Sequence, residues 1–137
     1  MNGKLITRDT DYAVRALVYI FNSKERIVSA SELVDELKIP RPFLRKILQK
    51  LSKAGILKAY KGKGGGFQLT VAAKKVSLIG LIELFQGPVK LTECLFKKKP
   101  CPNMKVCPLR KKLQGIEKIV VKELESIKLN LLFDSKL

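Results

Sequence analysis

The chain has 137 residues, 46% of them hydrophobic, which is enough for one domain with a buried core and too few for two full-sized domains. Its 28 Lys and Arg against 12 Asp and Glu give a formal charge of +16, and there is no histidine. The apolar content excludes wholesale disorder, the charge favours polyanions with nucleic acid first, and the missing histidine removes the commonest general base and nitrogen metal ligand.

No stretch approaches the roughly 18 apolar residues of a membrane span. Arg8, Asp9 and Asp11 stand where a signal peptide would be apolar. The expectation is a cytoplasmic protein without a membrane partner.

In chain order, residues 10–22 place Ala13, Ala16, Leu17 and Ile20 at i, i+3, i+4 and i+7, the stripe of an amphipathic helix, with Thr10 as its N-cap. Ser29 and Glu32 form a capping box ahead of Leu33, Val34 and Leu37, predicting a second helix over 30–38 that Ile39 and Pro40 end. Pro42 suits the first turn of a third helix that runs to Gly55. On that helix Leu44, Ile47, Leu48 and Leu51 share one face, and Arg45, Lys46, Gln49, Lys50 and Lys53 share the other. Two short helices, the second with one buried and one basic face, describe a helix-turn-helix.

Residues 56–60 and 67–70 then read as two short strands around the turn Lys61-Gly62-Lys63-Gly64-Gly65-Gly66, a hairpin placed where a wing would be. The glycines do not fit a nucleotide-phosphate loop, which needs a Lys-Ser/Thr ending and a following helix. Ser77 to Gln86 reads as a compact apolar helix stopped by Gly87-Pro88. From Pro108 to Leu132, Leu109, Leu113, Ile116, Val120, Leu124, Ile127 and Leu131 recur at spacings of 4, 3, 4, 4, 3 and 4. That predicts one helix of about 25 residues and about 37 Å, longer than the head can cover, so a C2 homodimer is expected. The fold expected is mainly α with a small β-hairpin wing: residues 1–75 form a winged helix-turn-helix, and 76–137 a helix, a cysteine loop over 92–107 and a long dimerisation helix.

Between Leu37 and Ile82 there is no acidic residue, while basic residues run from Lys38 to Lys75. Arg41, Arg45 and Lys46 lie in the first turns of the third helix, where arginine can grip guanine bidentately in a major groove. Lys50, Lys53, Lys61 and Lys63 suit phosphates. The competing interpretation is an ordinary solvated basic face. RNA is disfavoured because a helix-turn-helix suits B-form grooves and Phe67 offers no stacking platform.

Cys94, Cys101 and Cys107 fall within fourteen residues, an odd number that argues against a secreted disulfide framework. Thiolates are soft ligands for iron-sulfur clusters and zinc. Lys97, Lys98, Lys99 and Lys105 would offset the charge of such a centre and make buried apolar cysteines a poor alternative. Three cysteines on one loop offer no evident substrate site, so a regulator, not an enzyme, is expected.

Thr10 to Leu17, the stretch from Ile39-Pro40 through Phe43-Leu44 and Ile47-Leu48 to Leu51, Ala54-Gly55-Ile56-Leu57, the wing Lys61 to Leu69 and the three cysteines together resemble the Rrf2 family of IscR/NsrR-type winged-helix regulators. The resemblance implies a dimeric repressor or dual regulator of double-stranded DNA, with a 2Fe–2S or 4Fe–4S cluster on the cysteine loop sensing iron-sulfur supply, nitric oxide or redox state. It implies DNA contacts at Arg41, Phe43, Arg45 and Lys46, and at Lys61 and Gly62 on the wing.

Lys61 stands where the family usually has arginine, and as a point charge it suits phosphate rather than base reading. IscR-like members place a histidine three residues after the last cysteine; Arg110 stands there. NsrR-like members use an aspartate at the start of the first helix, contributed across the dimer, and Asp11 occupies that place. Asp11 could equally complement a helix N-terminus, worth about 0.3–1 kcal/mol, and Glu93 or an external molecule are further candidates. A zinc-stapled DNA-binding regulator without redox sensing is the alternative function.

Overall fold

A computed structural model describes residues 5–24, 26–89 and 108–133. Helix α1 (Arg8–Asn22) runs through the middle of the packing, with Ala13, Ala16, Leu17 and Ile20 buried as their spacing predicts. It begins earlier than expected: Thr7, not Thr10, precedes its first turn. Thr10 is fully buried, and its hydroxyl donates to Gln86 Oε1 at 2.7 Å, so this residue ties two helices instead of capping one.

Helix α2 (Ala30–Leu37) starts at Ser29, whose Oγ accepts from the Glu32 N–H at 3.1 Å. Half of the expected capping box forms. The Glu32 carboxylate turns away to accept from Tyr19 Oη at 2.6 Å and from both Arg26 Nη atoms at 2.8 and 2.7 Å. It thereby joins α1 to α2. The helix stops at Leu37, short of the expected end, because Lys38 turns left-handed with φ of 57°. Helix α3 (Arg41–Lys53) follows with Pro42 in its first turn, and Leu44, Ile47, Leu48 and Leu51 are buried in the same core as the α1 stripe.

Strands β1 (Leu57–Tyr60) and β2 (Gly66–Leu69) pair antiparallel, with Leu57 opposite Leu69 and Tyr60 opposite Gly66. The hairpin gains a third partner that its own pattern does not announce. Val28 and Phe67 exchange backbone hydrogen bonds at 2.9 and 2.8 Å, anchoring the wing root to the segment before α2. A 3-10 turn over Val71–Lys75 leads to α4 (Leu78–Gln86), which Ser77 caps by accepting from Gly80 N–H at 3.2 Å. Gly87 ends it with φ of 81°.

The long C-terminal helix is not continuous. Helix α5 (Pro108–Ser126) has 19 residues, about 28 Å. The chain then leaves the helix, bridges Lys128 to Ser77, and re-forms as α6 (Leu129–Phe133). Leu78 N–H donates to Ile127 O at 2.7 Å and Leu129 N–H to Val76 O at 2.9 Å. In an unbroken helix both of those groups would be engaged internally. The break also delivers Leu129 into the main core with no exposed surface. A second cluster forms where Leu124 of α5 meets Leu78, Ile79 and Ile82 of α4.

Arg26, followed by the Tyr19 hydrogen bond, lowers the Glu32 carboxyl from 4.5 to about 2. The folded protein thus stays ionised where the unfolded chain binds a proton, so this network stabilises fully above pH 4.5 and fades as pH falls towards 2. With Glu32 28% and Arg26 53% exposed, solvent screens much of the gain. Glu32→Gln is expected to destabilise modestly at pH 7 and by less at pH 2.5. Chemical denaturation at the two pH values checks this, and an equal loss at both would contradict it.

Candidate nucleic-acid interface

The periodicity of α3 decides where its charges go. Burial of Leu44, Ile47, Leu48 and Leu51 leaves Arg41, Phe43, Arg45, Lys46, Gln49, Lys50 and Lys53 exposed. The helix N-terminus is organised by its neighbours. Arg41 Nη2 donates to Ser31 Oγ on α2 at 3.1 Å, which holds that guanidinium beside the first turn. The Arg8 guanidinium, from the first turn of α1, lies over the Phe43 ring at 4.2 Å from its centroid. Along the helix, Lys50 Nζ sits 5.5 Å from the Phe85 ring of α4. Sequence reasoning passed over Arg8, Ser31, Phe85 and Gln86, because each acts across a tertiary contact that no spacing rule along one element reveals.

At the wing, Lys61, Gly62 and Lys63 are exposed at the tip, beyond Tyr60. The turn closes when Gly65 N–H donates to Gly62 O at 3.0 Å. Gly65 and Gly66 both lie against backbone: a Cβ would fall 2.2 Å from Tyr60 O at Gly65 and 2.4 Å from Val28 O at Gly66, where the φ of 157° is also one that side chains rarely adopt. The wing therefore depends on glycine where it meets Val28. Thr70 Oγ1 donates to Gly55 O at 2.6 Å and to Ile56 O at 3.1 Å, fixing the hairpin's base to the end of α3. Helix α3 and the wing are thus held in one relative orientation, their basic residues free of acidic neighbours in sequence.

The Rrf2 family, described as "Iron-dependent Transcriptional regulator", matches residues 6–135. The chain belongs to the Rrf2 family. A protein of Aquifex aeolicus strain VF5 described as an HTH-type transcriptional regulator is 39% identical over 90 residues, covering 66% of this chain and 62% of its own length. This Rrf2 chain has the fold of CymR, the global cysteine regulator of B. subtilis, with a TM-score of 0.76 at 19% identity, over 96% of this chain and 98% of that one. IscR of T. potens superimposes with a TM-score of 0.70 at 20% identity, over 96% and 88%. The expected mainly helical fold with a hairpin wing is therefore present, and the family's members are transcriptional regulators, not enzymes.

Cys94, Cys101 and Cys107 of this Rrf2 protein lie outside the described residues. Among the described residues no three His, Cys, Asp or Glu side chains converge on a point that could hold a metal ion. Asp11 is described. Its Oδ2 pairs with Arg15 Nε at 3.1 Å, one turn along α1, with the carboxylate 48% exposed. An exposed carboxylate in a solvent-screened pair is held weakly and can be taken over by another cation. Asp9 and Asp11 also both stand in the first turn of α1, where negative charge complements the helix dipole. Among the described residues no helix is long and apolar enough to cross a membrane.

Gly66→Ala should lower unfolding stability by about 2 kcal/mol, within the 1–3 kcal/mol expected for forced backbone strain. Urea denaturation measures it. A loss below about 0.5 kcal/mol would show that the wing root accommodates a side chain.

Proposed function

We propose that this Rrf2-family regulator binds double-stranded DNA as a homodimer, placing the exposed face of α3 in the major groove and the wing on the adjoining backbone, and that an iron-sulfur cluster on its cysteines sets its affinity. The observation that carries the reading is the complete division of α3 into a buried apolar face and an exposed face bearing Arg41, Arg45, Lys46, Lys50 and Lys53. Arg41, Arg45 and Lys46 of the first turns would read base edges together with Phe43. Lys50 and Lys53, with Lys61, Gly62 and Lys63 of the wing, would hold phosphates. The protein acts as a repressor in this reading, in the cytoplasm.

Support for the dimer comes from α5. Its C-terminal half is covered through Leu124, Val120 and Val121, whereas Leu109, Ile116 and Ile119 are 66%, 49% and 64% exposed. Apolar side chains in such a row suit a partner helix, and a second copy supplies the same row.

The donor set fits an iron-sulfur cluster in chemical type: Cys94, Cys101 and Cys107 offer soft thiolates, and Asp11 offers a displaceable oxygen as fourth ligand. Such a cluster, when bound, supplies a centre that exchanges electrons and ligands with redox partners or nitric oxide. The chain's own part is to hold it, with Lys97, Lys98, Lys99 and Lys105 offsetting the thiolate charge.

Three outcomes test the proposal. Anaerobically purified protein should be coloured and contain iron and sulfide, and replacing all three cysteines by serine should remove the iron; a colourless protein with stoichiometric zinc would point instead to a zinc staple. Affinity for a duplex selected from random DNA should fall by about 10³-fold or more between 50 and 200 mM salt, as for roughly six phosphate contacts, and a flat salt response would exclude the proposed surface. The double variant Leu109→Glu with Ile116→Glu should elute as a helical monomer in light-scattering chromatography. A dimer of unchanged strength would place the contact elsewhere.

A further inference from the structure

The strongest unassigned feature is the first turn of α1, which is gripped from two sides. On one side the Arg8 guanidinium covers the Phe43 ring at 4.2 Å. On the other, the Gln86 amide makes three hydrogen bonds across the fold. Its Oε1 accepts from Thr7 N–H at 2.8 Å and from Thr10 Oγ1 at 2.7 Å, and its Nε2 donates to Leu5 O at 3.0 Å. The orientation of that amide is chemically unambiguous, because a backbone N–H can only donate and a backbone carbonyl can only accept.

We propose that Arg8 is a DNA-contacting residue supplied by α1 and that Gln86 is the residue that positions it. The inference rests on the reading of α3 as the helix that enters the groove.

Thr7 precedes the first turn and makes no side-chain cap bond, so its N–H is one of the donors that a helix start leaves without an internal partner. Gln86 supplies the acceptor from another helix, 79 residues away. The same oxygen satisfies the hydroxyl of Thr10, a residue with no exposed surface, so the first turn is fastened at two points rather than left to fray.

Fastening that turn fixes where Arg8 starts. Stacked on Phe43, a planar guanidinium keeps its edge N–H donors directed outward, and a cation held over a ring loses less freedom on binding than a free one. Phe43 is 37% exposed in the first turn of α3, beside Arg41 and Arg45, so Arg8 joins that cationic rim from a helix outside the helix-turn-helix. Its competitor is Asp9, 3.8 Å from Arg8 Nε, with both side chains more than half exposed. Such a pair is weak and yields readily to a phosphate. The residue before Gln86 reinforces the arrangement: Phe85 lies beneath Lys50 of α3, so the last turn of α4 touches both the start of α1 and the charged face of the recognition helix.

The test is a double-mutant cycle on the full-length protein, read by fluorescence anisotropy with a duplex that the wild type selects from random DNA, across a potassium chloride series. Arg8→Ala should weaken binding about fivefold to tenfold and reduce the salt slope by about one. Arg8→Lys should keep the slope and lose part of the affinity. Gln86→Met, of similar size but without hydrogen bonds, should reproduce the Arg8→Ala loss. Combined with Arg8→Ala it should add nothing, because the two act as one unit. Gln86→Glu keeps the oxygen that Thr7 and Thr10 use but sets a carboxylate oxygen against Leu5 O in place of the Nε2 donor, so its affinity should fall between those of wild type and Gln86→Met.

General damage to the fold from Gln86→Met would instead lower affinity equally in both backgrounds, and circular dichroism with the unfolding midpoint identifies it. Wild-type affinity and slope in Arg8→Ala would overturn the contact, and additive losses would overturn the positioning role. A wild-type protein that selects no duplex at all would overturn the DNA-binding reading beneath both.

Discussion

Burial of the apolar face of α3 is the constraint on which the remaining architecture depends. Leu44, Ile47, Leu48 and Leu51 are essentially inaccessible, in one core with Ala13, Ala16, Leu17 and Ile20 of α1. Each such leucine or isoleucine contributes about 1.5–3 kcal/mol relative to exposure, enough together to fix the rotation of α3 about its own axis. Once that rotation is fixed, a period of 3.6 residues leaves Arg45, Lys46, Lys50 and Lys53 no position except outward. The hydrophobic effect therefore places the charges, although it has no interaction with them.

The charges in turn explain the acidic residues. Asp9, Asp11, Glu25, Glu32, Asp35 and Glu36 all precede residue 37, and the next acid is Glu83. Acids on α1 and α2 are close enough to hold their own elements together, as Glu32 does with Tyr19 and Arg26. The window between them is left to repel itself. Such a surface is stable because water and salt screen it, and it releases counterions when a polyanion takes their place.

Ties between residues far apart in the chain set the final geometry. Val28 extends the hairpin, Thr70 fastens its base to the end of α3, and the Ser77–Lys128 bridge interrupts the C-terminal helix so that Leu129 can enter the core. Each satisfies backbone or hydroxyl groups that a local element leaves over, which is why elements with ordinary local signals end up in one specific arrangement. The Gln86 amide belongs with them, joining the last turn of α4 to the first turn of α1.

Features that repeat with a local period or follow a local stop are legible in the chain alone: the stripe of α1, the two faces of α3, the glycine turn of the wing, the end of α4 at Gly87. These are legible because neighbours within one turn or one strand suffice to produce them. By pattern, Thr10 reads as a cap and Pro108 to Leu132 as one helix, since pattern alone carries no information about a partner arriving from elsewhere in the chain. Packing is needed for Gln86 to claim Thr10, for Val76 and Leu78 to draw residues 127–129 out of the helix, and for Arg8 to lie on Phe43. A hydrogen bond or a ring contact between distant segments depends on where packing brings them, and packing is a property of the whole folded chain.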